Sequence, residues 1–435
     1  MPRLTWLVLL AAGPALAQDF TVLEKVAREE LEATRTAGAA VAIVRGDQVV
    51  FSKGLGAASV ETGAPVTPDM LFRLGSTTKM FTAAAVVSLA EDGKLKLDAP
   101  VGEYLPGLAP RVARLTAHQL LTHTAGLWDE AVMFGPHDEQ ALGTGIRTWT
   151  DGRLFTEPGR IYSYSNPGYW VAGFLAEQAA GKPYADVVRE RLFEPLGMKR
   201  STFRPTMAMT WPLAQGHDAG RAVIRPAADN ASGWPAGSMF SSVEDLSRWV
   251  MAFLNRRVLP ASLYDKMATA HVAVPGSDRK YGYGLGLETR RGVRLVEHGG
   301  SRAGYGSWIG MAPEHKVGVI VLINKSGGTL PRTVQKALEL MLPLAPRRET
   351  PKPALAMTEA EMKRYAGVYS QPGARVELAV REGKLIMKGE AGERAVTRVG
   401  ELRFSAGAGE FTLVPDQTGG IEFLFRGGRA LRRSQ

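Results

Sequence analysis

The sequence contains no cysteine, and this one absence removes disulfides, a lipoprotein anchor, thiol catalysis and thiolate metal sites together. Stability must then come from core packing alone. Aromatic residues make up only 8% of the chain, and nowhere do they interleave with a basic stripe as a nucleic-acid surface requires. The net charge is +10, yet its arginines are scattered, Arg45, Arg73, Arg248, Arg290 and Arg432 among them. Such a surface could favour anionic cell-wall material, but a nucleic-acid partner is not expected. After residue 17 no stretch reaches the roughly 20 apolar residues of a transmembrane helix. There is no Gly-x-Ser-x-Gly elbow. The glycine-rich stretch from Gly282 to Gly286 does not open a helix, so it is no dinucleotide fingerprint. His118 and His123 are five residues apart and lack the glutamate of a zinc protease, which makes them packing or loop-ordering residues. Neither a metal nor an organic cofactor is expected.

What remains is an ordinary globular composition, 45% hydrophobic and 22% charged over 435 residues, enough chain for two or three domains. Residues 1–17 combine Arg3, an apolar run over 4–12 and Ala15-Leu-Ala17. This is the pattern of a secretory signal cleaved after Ala17, and it implies a secreted or periplasmic protein without a stable membrane anchor. Helical spacing follows over 20–37, then a β-hairpin of strands 41–44 and 49–52 turning at Gly46-Asp47. Helices are expected over 77–92, 167–180 and 243–253. Strands return at 307–311 and 317–323, the latter an unbroken apolar run suited to a central strand buried on both faces. Strands at both ends of a helical middle predict an α+β domain over 18–342, its antiparallel sheet built from both ends of the chain. Residues 343–358, with Pro343, Pro346, Pro351 and Pro353, read as an exposed linker. Beyond it, 376–380, 384–388, 410–414 and 421–425 alternate at strand period, so 359–435 is expected to be a small all-β module.

Three short motifs carry the chemistry. Ser76-Thr-Thr-Lys79 places a serine in the first turn of an apolar helix with a lysine stacked one turn on. The helix dipole and burial both disfavour the lysine's charge, so its neutral amine can accept a proton from a serine otherwise too weak a nucleophile. A second copy, Ser277-Asp-Arg-Lys280, lies in a polar loop without a helix. Taken alone, Ser76 reads more simply as a helix cap, since caps are common. The second motif is Tyr164-Ser-Asn166, with Pro167 opening the following helix. A phenol there could exchange protons with nucleophile or leaving group, and the amide could hold both lysine and substrate; by itself the motif is also a capping turn. The third is His298-Gly-Gly-Ser301, where glycine lets a substrate approach an edge strand. The N–H groups of Ser76 and Ser301 could then form an oxyanion hole, although a lone histidine is more often structural.

In this order the motifs resemble those of the penicillin-recognising serine hydrolases, which include class C β-lactamases, DD-peptidases, D-aminopeptidases and related esterases. Stretches 120–127, 194–198, 236–246 and 281–286 also look like landmarks of that family. The resemblance implies a β-lactamase/transpeptidase-like domain with a central antiparallel sheet, flanking helices and a helical subdomain. Ser76 would be the nucleophile, and Lys79 and Tyr164 the acid/base groups, either of which could take the first proton. Asn166, His298, Gly300 and Ser301 would bind substrate and oxyanion. His298 stands where β-lactamases of this type usually have lysine. Charged only part of the time near neutrality, it would bind a substrate carboxylate or feed protons to Tyr164. It favours a peptidase or esterase acting on small amides, D-amino-acid peptides or esters over a β-lactamase. A non-catalytic penicillin-binding or peptidoglycan-sensing protein is the alternative, against which stands the presence of Ser76, Lys79 and Tyr164 together. The tail, opening with Tyr365 to Tyr369, resembles the lipocalin-like β-barrels appended to such hydrolases. A contribution of this module to substrate selection is a further expectation.

Overall fold

Strand Gly38–Arg45 is buried at every position except the last because both of its faces are covered. Successive side chains of a strand point to opposite faces. Ala40, Ala42 and Val44 accordingly enter one core and Ala39, Val41 and Ile43 the other. Val317–Ile323 is buried throughout for the same reason, with Ile320 and Leu322 on the first side and Val319, Val321 and Ile323 on the second. The two strands pair antiparallel, Val41 opposite Val321, which joins the two ends of the domain in one sheet. That sheet has eight strands in the order Gln48–Gly56, Gly38–Arg45, Val317–Ile323, Tyr305–Ala312, Val293–Arg302, Gly286–Arg290, Lys280–Tyr281 and Val272–Ala273. Helices Thr21–Ala33 and Pro331–Met341 cover one face, and Val243–Asn255 lies across the other. The computed structural model describes residues 18–347, 354–389, 392–407 and 409–434. The expected signal over 1–17 and linker residues 348–353 lie outside the described residues. No helix among the described residues is long and apolar enough to cross a membrane.

Behind the second face stands helix Thr78–Glu91, buried at every position from Thr78 to Val87. A helix without a solvent face belongs in the middle of a core, and Lys79 is the only basic residue it carries. Against it packs helix Asn166–Ala180. That helix is capped by the Ser165 side chain, which accepts from the Gly168 N–H, and ends at Gly181 in the left-handed conformation.

The C-terminal module is a closed barrel of eight antiparallel strands from Gly367–Gln371 to Arg429–Arg433. It is not purely β: helix Glu359–Tyr365 precedes it, capped reciprocally by Thr358 and Glu361, and buries Met362 and Tyr365 in the barrel core. The four strands expected from alternation are present. The other four escape notice because they are short or bury too few residues to set up a pattern; Gly392–Arg398 buries only Val396 and Gly367–Gln371 only Tyr369. The barrel is fixed to the first domain by an apolar cluster that includes Ile161, Tyr162 and Tyr281 from one side and Phe423, Phe425 and Ala430 from the other. An Arg160–Glu422 ion pair of 2.5 Å lies beside it.

Since Ile320 is fully buried in the middle of the sheet, Ile320→Ala should destabilise the protein by about 2–5 kcal/mol. Denaturant titration should give a lower midpoint with an unchanged slope.

Candidate active site

Ser76 sits in a short 3-10 turn, Gly75–Thr77, that runs directly into helix Thr78–Glu91. Two glycines bring the edge of strand Val293–Arg302 against this turn. Gly75 has φ +56°, and a Cβ there would lie 2.6 Å from the Ser301 nitrogen; a Cβ on Gly300 would lie 1.9 Å from the Leu74 carbonyl oxygen. No other residue fits at either position. The main-chain N–H groups of Ser76 and Ser301 therefore belong to touching segments.

One turn into the helix, the Lys79 Nζ lies 3.2 Å from Ser76 Oγ, 2.7 Å from Asn166 Oδ1 and 2.7 Å from the Ala236 carbonyl oxygen. Burial lowers its pKa to about 7, overcoming the carboxylate of Asp129, which pulls upward; the Arg429 guanidinium adds to the fall. A neutral amine has two N–H bonds and one lone pair. Asn166 Oδ1 and the Ala236 carbonyl can only accept, so they take the two N–H bonds and leave the lone pair for the Ser76 hydroxyl.

Asn166 is held in the orientation this needs. Its Nδ2 donates to Asp129 Oδ1 at 3.0 Å and to the Glu130 carbonyl at 3.3 Å, and its backbone N–H donates to the same Asp129 oxygen at 2.7 Å. The other Asp129 oxygen is bound by Arg429, with Nε at 2.7 Å and a terminal nitrogen at 2.5 Å. Arg429 comes from the last hairpin of the barrel. That hairpin also accepts the Tyr164 N–H on the Gly428 carbonyl at 2.9 Å, and Ala430 N–H donates to Ser163 Oγ at 3.1 Å.

Tyr164 lies between these groups, its ring centroid 4.8 Å from Lys79 Nζ and 5.2 Å from the Arg429 guanidinium carbon. Its buried hydroxyl has no hydrogen-bond partner among the described residues. Burial pushes the phenol pKa well above its ordinary value, and the nearby Ser76 hydroxyl only partly opposes this. His123 orders the segment: its buried Nδ1 accepts the Ser165 N–H at 3.1 Å, and its ring stacks 4.3 Å from that of Tyr164. His118 bonds the Tyr283 hydroxyl at 2.8 Å.

His298 differs from expectation. The imidazole is buried, and burial, helped by the charge on Lys79, takes its pKa down to about 3. Nδ1 lies 2.7 Å from the Gly299 carbonyl oxygen, which can only accept, so Nδ1 carries the proton and Nε2 accepts from the Tyr281 hydroxyl at 3.0 Å. Both nitrogens are occupied and the ring is neutral near pH 7. It neither offers a charge to a carboxylate nor bonds Tyr164, whose ring centroid is 6.4 Å away.

Ser76, Asn166 and Ser301 open onto a cleft of about 80 Å³ walled by Val132, Met133 and Trp170, with Arg302 also in its lining. On the far side of Tyr164 a pocket of about 240 Å³ is lined by His298, Tyr281 and Gly428. The second Ser-x-x-Lys copy is exposed: Ser277 lies in the loop before strand Lys280–Tyr281, and Lys280, the first residue of that strand, lines the His298 pocket and not the Ser76 cleft. Three participants were not singled out from sequence. Ala236 opens one of the landmark stretches. Asp129 follows another by two residues in a stretch with no periodicity. Arg429 is one of 53 basic residues with nothing local to mark it.

An antiparallel sheet between helical layers, a serine and lysine at the start of a buried helix, and a tyrosine and asparagine at the start of a second define a β-lactamase/transpeptidase-like protein. Residues 23–340 match the family described as Beta-lactamase, and the chain belongs to it. It is 25% identical over 324 residues to Protein flp of Staphylococcus aureus (strain MW2), covering 72% of this chain and 64% of that protein's length. It is 28% identical over 361 residues to a D-aminopeptidase of Gluconobacter oxydans (strain 621H), covering 80% of this chain and 66% of the relative. Among solved structures, the octameric penicillin-binding protein homologue from Pyrococcus abyssi superposes with a TM-score of 0.69 at 26% identity, over 96% of this chain and 99% of that one.

Asp129 stabilises the ammonium form of Lys79 and also partners Arg429, which destabilises it. Asp129→Asn removes the first effect and leaves the second uncompensated, so the Lys79 pKa should fall below about 7. The acid limb of the kcat/KM profile for a p-nitrophenyl ester should move to lower pH; an unmoved limb or a rise contradicts this assignment.

Proposed function

We propose that the protein is an exported serine hydrolase that forms an acyl-enzyme at Ser76 on small amides, D-amino-acid peptides or esters. The observation that carries this reading is the arrangement of the Lys79 amine, whose two acceptors leave its lone pair to the Ser76 hydroxyl at 3.2 Å. Ser76 Oγ attacks the substrate carbonyl carbon as its proton passes to Lys79 Nζ. The N–H groups of Ser76 and Ser301 receive the oxyanion. Between the two candidates for first base, the raised pKa of Tyr164 argues against a phenolate and for Lys79. Tyr164 instead gives its proton to the leaving nitrogen and recovers one from the Lys79 ammonium, and water then releases the acyl group by the reverse route.

The substrate class follows from what the cleft offers. Its small volume suits a compact acyl group, with Val132, Met133 and Trp170 as an apolar wall and Arg302 as the charged part of the lining. The neutral, fully bonded His298 provides no cation at its own position, so a substrate carboxylate in this cleft would meet Arg302 instead. The D-aminopeptidase relative is in keeping with an amide substrate of this size. Export rests on the sequence of residues 1–17, and N-terminal sequencing of the mature protein should begin at Gln18.

Ser76→Ala should abolish both the acyl adduct in intact-protein mass spectrometry and ester turnover while leaving the thermal midpoint nearly unchanged. Lys79→Met should slow acylation by on the order of 10³-fold or more. Tyr164→Phe should cost about 10²–10⁴-fold on an amide, whose leaving nitrogen needs a proton, and far less on a p-nitrophenyl ester, whose leaving group does not. Equal losses on both substrates would contradict the role given to Tyr164.

A further inference from the structure

The barrel has a basic mouth that the hydrolytic reaction does not use. Residues paired across two strands share a face, as do residues two apart on one strand. Leu424 pairs with Leu431 inside the barrel core, and one step toward the end on the same face Arg426 pairs with Arg429. Likewise Met387, a core residue, pairs with Arg394. Three guanidinium side chains thus belong to the inward face at one open end. Between them the rim positions Gly389, Gly392 and Gly409 carry no side chain, and a cavity of about 480 Å³ opens there over Val376, Met387 and Leu431. This volume lies within the roughly 300–1,000 Å³ of small-ligand sites. Arg394 and Arg426 have no ion-pair partner among the described residues. Arg429 is paired with Asp129, so Arg394 and Arg426 are the two guanidinium groups here whose like charges repel and attract an anion.

We propose that this end of the barrel binds an amphiphilic anion, a carboxylate or phosphate head on a medium-length alkyl chain, and that its occupant communicates with the serine site through Arg429. The head sits among Arg394, Arg426 and Arg429, and the chain runs down onto Val376, Met387 and Leu431. Arg429 lines the cavity and at the same time holds Asp129, the carboxylate that orients Asn166. An anion at the mouth therefore competes with Asp129 for this guanidinium and offsets its positive charge. Lys79 also faces His123, His298, Tyr164 and Tyr169, all of them held neutral by burial. Among the described residues, Asp129 and Arg429 are the charges that act on it. Weakening the effect of Arg429 thus favours the ammonium, and turnover at pH 7 falls while turnover at pH 9 does not.

The test is isothermal titration of the full-length protein with decanoate and with decyl phosphate below their micellar concentrations, alongside sedimentation with phosphatidylglycerol vesicles. The proposal expects saturable one-to-one binding of at least one soluble amphiphile, weakened tenfold or more in the double variant R394Q/R426Q. Without ligand that variant should keep wild-type ester turnover and thermal midpoint. In the wild type a saturating amphiphile should shift the acid limb of turnover upward. Calorimetry reads the site without reference to hydrolysis, so a failure here is distinct from a failure of the hydrolase reading. No binding, or binding unaffected by R394Q/R426Q, overturns the site. Sedimentation with vesicles but binding of neither soluble amphiphile overturns it in favour of a lipid headgroup, and binding that leaves the pH profile in place overturns the link through Arg429.

Discussion

An ammonium group sealed away from water loses most of the solvation that keeps it charged, and the catalytic end of this molecule is organised around that constraint. Helix Thr78–Glu91 has no solvent face over its first ten residues, so the Lys79 amine is enclosed whichever way its side chain turns. Burial outweighs the attraction of Asp129 and sets the pKa near 7. Once the amine is neutral, its hydrogen bonds to Asn166 and Ala236 fix the direction of its lone pair. The same burial keeps Tyr164 protonated. One physical cause thus lowers the pKa of the amine and raises that of the phenol.

The barrel belongs to this arrangement and is more than an appended module. Its last hairpin supplies the Gly428 carbonyl to Tyr164 and the Arg429 guanidinium to Asp129. Asp129 in turn fixes both the backbone and the side-chain amide of Asn166. A chain of polar contacts therefore runs from the rim of the barrel to the Lys79 amine, anchored by the apolar cluster around Tyr162 and Phe425. Such a cluster is what allows a residue from a second domain to hold a position to within a hydrogen-bond length.

Much of this was legible in the sequence wherever a local pattern carries the information. The unbroken apolar run of Val317–Ile323 marks a strand covered on both faces, and the helix context distinguishes the buried Ser-x-x-Lys of Ser76 and Lys79 from its exposed copy at Ser277. The close approach at Gly300 follows from a glycine on a strand edge. What escaped was non-local. Arg429 reaches Asp129 across 300 residues of sequence, and neither residue lies in a periodic segment. Half of the barrel strands were concealed because they bury too few residues to set up a period, as in Gly392–Arg398 and Gly367–Gln371 with one buried side chain each. For His298 the residue type suggested a partly charged group, but its ionisation is decided by the enclosure and by Tyr281 and Gly299, contacts that depend on strand register and loop path.

The most direct test of this account is the titration of Lys79 itself, followed by the ε-carbon chemical shift of selectively ¹³C-labelled lysine with Lys79→Met as the assignment control. The account predicts one lysine resonance titrating with a midpoint of about 7 and missing from the control. A Lys79 resonance that titrates with the exposed lysines at about 10.4 would mean that the amine is charged at neutral pH, and the base assigned to Ser76 would be wrong.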